Sequence, residues 1–408
     1  MFWQWDKVWG EVDENTIVAA LWHELNAAEK FGAKGKLERF QPEPKNVNAV
    51  LAALKGLLNL PPIQKNEMPG WFAEGEIEGD VRELIALQNG ILDIRTRMLR
   101  RHTPRYWSGN ILDFEYDPEA RCPRFVQFLE EIWPEDKVAQ ECLLEMFGLC
   151  LTDVTSFQRF FMFIGPPRGG RGTIGRVLKG LIGAENYVGT SFKRFGEQFG
   201  MEGFIGKKVA VFTDASLDGQ SARYRGGIVE QLKRITGEDD DDVNRKHKPY
   251  WHGKLSTRVL VFSNELLKLE DQSGALGDRV IVYRMLQSFK DRMDPKLTDK
   301  LLAERPGIFN LALDGWDRVR LNGLRQPKSG LEMATNFQEL GSDVKSFVAE
   351  RCVVSPEFRE RLQDLYDAWK SWCFGHGVHY NWDDNHFSAK LSAACPTLRK
   401  SRPRVANP

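Results

Sequence analysis

A strand that runs into a glycine-rich turn and leaves it as a helix admits few folds, and residues 160–177, FFMFIGPPRGGRGTIGRV, read that way. Phe160, Phe161, Met162, Phe163 and Ile164 form an apolar run with no alternation, as expected of a strand buried on both faces. The run stops at Gly165, and helical spacing resumes at Thr173. Where a loop binds phosphate, successive backbone N–H groups wrap the anion and the following helix N-terminus faces it, so glycines stand where a Cβ would block the approach. Gly165 and Gly170 have the separation of the G-x-x-x-x-G-K-[ST] pattern, with Arg168 and Gly169 between them. The Lys position holds Arg171 and the Ser/Thr position holds Gly172, with the hydroxyl of Thr173 one place later. Arginine keeps the charge but is a planar fork rather than a compact ammonium. Nucleotide binding is therefore expected ahead of efficient hydrolysis.

The rest of the sequence bounds the setting of this loop. Its 408 residues suit two or three domains, and Lys plus Arg equal Asp plus Glu at 57 each, so any hold on nucleic acid must come from local clusters. No run approaches the roughly 20 apolar residues of a membrane span. The start, MFWQWDKVWGEVDEN, lacks a signal-peptide pattern, and a soluble, cytoplasmic chain without membrane contact is expected. The six cysteines form no C-x-x-C pair and suit reduced, mostly buried thiols. Cys373, His376 and His379, with Cys395 as a fourth, are close enough to supply metal ligands, but CFGHGVH is not a usual zinc spacing, so ordinary surface histidines are expected.

Helices are predicted over 14–30 and over NVNAVLAALKGLLNL, and a tight hairpin at Asn89-Gly90. The basic residues Arg95, Arg97, Arg100, Arg101, His102 and Arg105 beyond it could touch a phosphate backbone, but a solvated face is expected ahead of that. Two further helices, PRFVQFLEEIW and EDKVAQECLLEMFGLCL, lead into the organising strand. Downstream, GKKVAVFTDAS is a second buried strand ending in Asp214, either a capping Asp in a strand-to-helix turn or, favoured by the glycine loop upstream, a carboxylate at the strand's C-terminal edge that would hold a nucleotide's magnesium. After a helix ending at Gly237, five acids from Glu238 to Asp242 give way to Arg245, Lys246, His247 and Lys248, followed by Tyr250 and Trp251. Cations beside aromatics suit single-stranded nucleic acid, with a solvated charge run as the alternative. TRVLVFSNE is a third buried strand, ending in Ser263, Asn264 and Glu265 where open α/β sheets bind ligands. Arg279 opens a fourth apolar run, either as a structural group or as one that reaches a neighbouring subunit's nucleotide.

The ordered segments GPPRGGRGTI, GKKVAVFTDA, IVEQLKRITGEDDDDVNRKHK, LSTRVLVFSNEL and DQSGALGDRVIVYRM resemble the helicase domain of phage and plasmid primase-helicases, superfamily 3 DNA helicases with an AAA+ core. The resemblance covers roughly 84–323. It implies an α/β fold with a P-loop helicase core at 156–325, preceded by a mainly helical N-terminal domain with a hairpin at 1–155. A linker at 326–342 and a small helical or winged-helix domain at 343–408 would follow. By the same resemblance, Gly165 to Thr173 would be Walker A and Asp214 the Walker B acid, with Thr173 beside it at Mg²⁺. Asn264 would be the sensor that orients water, Arg279 the arginine finger across a subunit interface, and Arg245 to Lys248 the tip of a DNA-contacting hairpin. ATP and Mg²⁺ would be the cofactors and single-stranded or forked DNA the partner. A homo-oligomer, a hexamer by resemblance, would act beside a primase or polymerase. The family has Lys where Arg171 stands, so weak turnover is expected, and the competing reading is a nucleotide-binding ring or scaffold that loads on DNA. No primase-like acidic pattern is evident in the first 80 residues, which suits a piece of a longer primase-helicase or a helicase without its primase.

Overall fold

The computed structural model describes residues 2–32, 35–58, 69–72, 80–213, 215, 217, 221–267, 269, 271, 275–340, 343–376, 382–395 and 397–401. The chain divides into two units, Met1–Pro118 and Glu119–Pro408.

The first unit is less helical than expected. Helices Glu14–Ala27 (α1) and Pro44–Leu57 (α2) are there. Around them are short antiparallel pairs, Phe2–Asp6 (β1) with Val8–Val12 (β2), and Glu29–Phe31 (β3) with Leu37–Arg39 (β4). Gly70–Trp71 (β5) pairs with Tyr106–Trp107, and Leu84–Leu87 (β6), Gly90–Asp93 (β7) and Met98–Arg100 (β8) form a small sheet, which makes Tyr106–Trp107 β9. Strands this short show no periodicity in sequence, and ring packing holds several of them: Trp107 meets Trp3 at 4.9 Å and Trp9 at 5.5 Å. The expected hairpin is β6–β7, with the reversal at Gln88 and Asn89 and Gly90 opposite Leu87. Gly90 has φ 157°, and the Arg100 carbonyl lies where its Cβ would be. The Asn89 amide fixes the turn, donating to the Tyr116 carbonyl at 2.9 Å and accepting from its N–H at 3.0 Å.

The second unit is built on a five-stranded parallel sheet of Phe160–Ile164 (β10), Tyr187–Thr190 (β11), Val209–Phe212 (β12), Arg258–Ser263 and Val280–Arg284. Between β12 and the last two strands, Asp240–Arg245 (β13) and Lys248–Lys254 (β14) form a separate hairpin, so Arg258–Ser263 is β15 and Val280–Arg284 is β16. The spatial order is β11-β12-β15-β10-β16. All three expected strands, β10, β12 and β15, are buried along their whole length. Strands covered on both faces have no wet side to alternate with, which is why they read as continuous apolar runs.

Helices cover both faces. Pro123–Ile132 (α3) and Lys137–Leu151 (α4) belong to this unit although they were expected in the N-terminal domain. Their side of the sheet presents Phe163, stacked on Tyr283 at 4.5 Å, and the Tyr283 hydroxyl donates to the Cys142 carbonyl at 2.8 Å. Helix Arg171–Ile182 (α5) buries Ile174, Val177, Leu178 and Leu181 at i, i+3, i+4 and i+7. On the opposite face Phe160, Met162, Phe212, Val261 and Val282 pack with Leu232 and Ile235 of helix Ala222–Gly237.

The stretch expected as a polar linker packs on the sheet. The Gln326 side chain accepts from the Val282 N–H at 3.2 Å and donates to its carbonyl at 2.8 Å, covering the edge of β16 as a neighbouring strand would. Helix Leu331–Leu340 then places Phe337 in the same core as Phe160, with ring centroids 6.2 Å apart. A single buried ring and one amide, neither visible as periodicity, turn this segment into part of the core. Helices Asp343–Arg351, Leu362–His376 and Asp384–Ala394 follow as expected around Phe347, Trp369, Trp372 and Phe387. Among the described residues no strand follows β16.

Burial pushes the thiols of Cys122, Cys142 and Cys150 up to about 12. His376 stacks on Trp372 at 4.3 Å and its Nδ1 is 2.8 Å from the Trp372 carbonyl oxygen; His379 lies outside the described residues. Among the described residues no helix is long and apolar enough to cross a membrane.

Candidate functional site

Strand β10 lies between β15 and β16, and all three run the same way, so their C-terminal ends make one edge. In register, Ile164 is level with Ser263 and with Arg284. The glycine loop therefore leaves β10 between two neighbouring strand ends, where an open parallel sheet forms a ligand crevice.

The loop's backbone is fixed from both sides. The Gly165 N–H points to the Ser263 carbonyl at 3.4 Å, while the Met285 N–H donates to the Ile164 carbonyl at 2.7 Å. A Cβ on Gly165 would strike the Met285 carbonyl, so the first glycine of the pattern is required by the strand beside it. Gly169 is buried and its N–H closes a turn onto the Pro166 carbonyl at 3.2 Å. Gly170 takes φ 101° and caps α5, a left-handed position where glycine has no Cβ to clash. Arg168 adopts φ 64° at the loop's exposed tip.

The segment after β16, unmarked in the sequence reading, forms one wall of this loop. The Phe289 N–H donates to the Arg168 carbonyl at 3.1 Å and the Ser288 hydroxyl to the Pro167 carbonyl at 3.0 Å. Arg176 is a second residue the pattern did not mark. Its guanidinium donates to the Thr173 hydroxyl at 3.2 Å and to the Thr298 hydroxyl at 3.0 Å, and a Cβ on Gly172 would lie 3.2 Å from it. An arginine four residues beyond a loop carries no signal until the helix brings it back over the first turn.

Arg171, at the first position of α5, does not point to open solvent. Its guanidinium donates to the Ser263 carbonyl and to the Asn264 side-chain oxygen, and lies 3.4 Å from the Pro166 carbonyl. The structure thus joins two groups that the sequence placed far apart: the glycine loop, and the end of β15 with Asn264. Thr213, after β12, bonds back to the Thr190 carbonyl at 3.2 Å; the next residue, Asp214, lies outside the described residues.

Two other groups named from sequence stand away from this crevice. Arg279 precedes β16 and so sits at the opposite, N-terminal edge of the sheet, a strand length or about 16 Å from the loop. There its guanidinium donates to the Lys233 carbonyl at 3.0 Å and the Thr236 hydroxyl at 3.1 Å, on the last turn of helix Ala222–Gly237, where a cation is favoured. Arg245, Lys246, His247 and Lys248 form the tip of the β13–β14 hairpin. Arg245 pairs with Lys248, the reversal falls at Lys246 and His247, and His247 takes φ 57°. Lys246, His247, Lys248 and Tyr250 are exposed, whereas the Arg245 Nε donates to the Pro249 carbonyl at 2.8 Å. The acids that precede them have structural tasks at the hairpin's base. Glu238 ends the preceding helix in a left-handed conformation, and Asp241, 8% exposed, pairs with Arg234 at 2.8 Å.

Comparison with known proteins adds independent findings. Residues 1–134 match the family described as "D5 N terminal like", and residues 163–279 match a family of unknown function. A curated relative named as a candidate helicase, from Acanthamoeba polyphaga mimivirus, is 20% identical over 318 residues, covering 71% of this chain and 33% of its own length. The chain thus spans about a third of that relative. Among solved structures, the apo C-terminal region of NrS-1 is similar at 15% identity with a TM-score of 0.47, over 68% of this chain and 65% of that one. Its A form aligns at 13% identity and a TM-score of 0.45, over 88% and 79%. The N-terminal match and the helicase-named relative support the resemblance to the primase-helicases of phages and plasmids.

Proposed function

We propose that the chain is the nucleotide-driven motor portion of a DNA-replication protein, an AAA+ helicase core that binds ATP at the β10–α5 loop and moves on single-stranded or forked DNA through the β13–β14 hairpin. The observation that carries this reading is the glycine loop leaving β10 between two parallel strand ends, on the same unit as a basic-tipped hairpin. Backbone N–H groups of Gly170 to Gly172 would cradle the phosphates. The Thr173 hydroxyl, already accepting from Arg176, keeps a second lone pair for Mg²⁺, with the Asp214 carboxylate as the further ligand. Asn264 would orient water, and Arg279, remote from its own loop, would serve a neighbouring subunit of a ring. Its helicase-named relative supports the class of activity. A P-loop kinase of small molecules is disfavoured, because a basic hairpin would have no task in it.

The second reading is a ring or scaffold that binds nucleotide and DNA with little turnover, and Arg171 favours it. A fork tied to Ser263 and Asn264 must be released before it can stabilise a transferring phosphoryl group. Steady-state ATP hydrolysis with and without single-stranded DNA, beside an Arg171→Lys variant, separates the two. DNA-stimulated hydrolysis by the natural chain establishes the motor. Hydrolysis by the Lys variant alone establishes the binding ring, and the expected gain for that variant is at least about ten-fold, one lost transition-state contact restored.

A further inference from the structure

The acceptors held by Arg171 come from both walls of the crevice. Pro166 belongs to the phosphate loop; Ser263 and Asn264 belong to the end of β15. A planar guanidinium, with five N–H donors spread over a fixed fork, reaches both walls at once, whereas an ammonium offers three donors from a single point. Those donors are the ones a polyphosphate in the cradle would claim, since phosphate oxygens form stronger, charge-assisted bonds with arginine. Asn264 is otherwise exposed, so its position in this state is set by the arginine. Of these three acceptors, the carbonyls of Ser263 and Pro166 are main-chain groups fixed by the sheet and the turn, and the Asn264 oxygen is on a side chain that can move.

We propose that the Arg171–Asn264 bond is a latch across the nucleotide site: Asn264 and nucleotide phosphate compete for one guanidinium, and opening the latch both sets nucleotide affinity and frees the Asn264 amide. The proposal rests on the nucleotide-binding reading above. It makes Asn264 a negative determinant of affinity in the resting chain, the opposite of what a residue serving only the terminal phosphate would be. It also gives Arg171 a task that lysine could not perform.

The test is calorimetric titration of ADP into the full chain, its Asn264→Ala and Arg171→Lys variants, and the double variant. ADP lacks the terminal phosphate, so a contact between Asn264 and that group or its attacking water contributes nothing. Removing one acceptor from a charged donor is expected to tighten ADP binding about ten-fold in Asn264→Ala. In the Arg171→Lys background the same change is expected to shift affinity less than about two-fold, because the coupled partner is gone. Unchanged or weaker ADP binding by Asn264→Ala overturns the latch, as does an equal gain in both backgrounds. If all four proteins melt cooperatively and none binds ADP, the phosphate-loop reading falls and the latch with it.

Discussion

The two carboxylate oxygens of Asp136 hold together stretches of chain almost two hundred residues apart. One accepts from the Ala139 N–H at 2.9 Å and caps α4; the other accepts from the Ser329 N–H at 2.8 Å, beside the turn that covers β16. Burial opposes ionisation here, but hydrogen bonds from Ser329 and Ala139 outweigh it and hold the carboxyl below its usual value. A carboxyl whose native pKa is lowered stabilises the fold above its unfolded pKa and loses that contribution as pH falls through the native one. Asp136→Ala is therefore expected to cost about 1–2 kcal/mol at pH 7 in urea unfolding, with the gap from the natural chain narrowing below about pH 4. A gap that is the same at low pH would mean that the charge is not what holds the two segments. Arg171 poses the same question at the site: a motif position read by charge alone misses that a fork, once placed, finds main-chain acceptors that an ammonium would leave.

Among the elements, the β13–β14 hairpin has the sharpest division of labour. Val243 is 2% exposed and anchors the ribbon in the core, Asp241 at its base pairs with Arg234 of the preceding helix, and the cations gather at the reversal. Such a ribbon presents charge away from the sheet without enlarging the core. Lys246→Ala is expected to weaken single-stranded DNA binding several-fold and to reduce the slope of log affinity against log salt by about 0.7, one phosphate contact on a single strand. ADP affinity should not move. Fluorescence anisotropy across a salt series checks both, and an unaltered slope would remove Lys246 from the DNA path. The Lys246 N–H is itself braced by Glu202 at 3.2 Å, so the main chain of the tip should keep its form in the variant.

For the whole molecule, the decisive fact is that the two ends of one parallel sheet carry different groups. The loop, Asn264 and Arg171 share the C-terminal edge, and Arg279 stands at the other. On the proposed reading, a residue there would act on the nucleotide of a neighbouring subunit rather than that of its own chain. Arg279→Ala is expected to lower ATP turnover at least about ten-fold with ADP affinity within about two-fold of the natural chain. Mixing it with an Arg171→Ala variant, which supplies an intact arginine to its neighbours, should restore part of the activity. Loss of ADP binding in Arg279→Ala would show instead that its bonds to Lys233 and Thr236 hold the core together.

What the sequence determined by itself were the features carried by local chemistry. Continuous apolar runs marked β10, β12 and β15 because a strand buried on both faces has no polar side. Gly165 and Gly170 marked the loop because a Cβ there meets a carbonyl or an unfavourable φ. The helical spacing of Ile174, Val177, Leu178 and Leu181 marked α5. Tertiary structure alone decided the rest, since it depends on which distant segments meet. No periodicity announces that Gln326 would cover the edge of β16, that Phe337 would enter the sheet's core, or that Trp3, Trp9 and Trp107 would gather short strands into a mixed N-terminal unit. Nor could spacing show that Arg171 and Asn264, read as separate parts of a site, would be bonded to each other. That contact exists only because parallel pairing sets the end of β10 level with the end of β15.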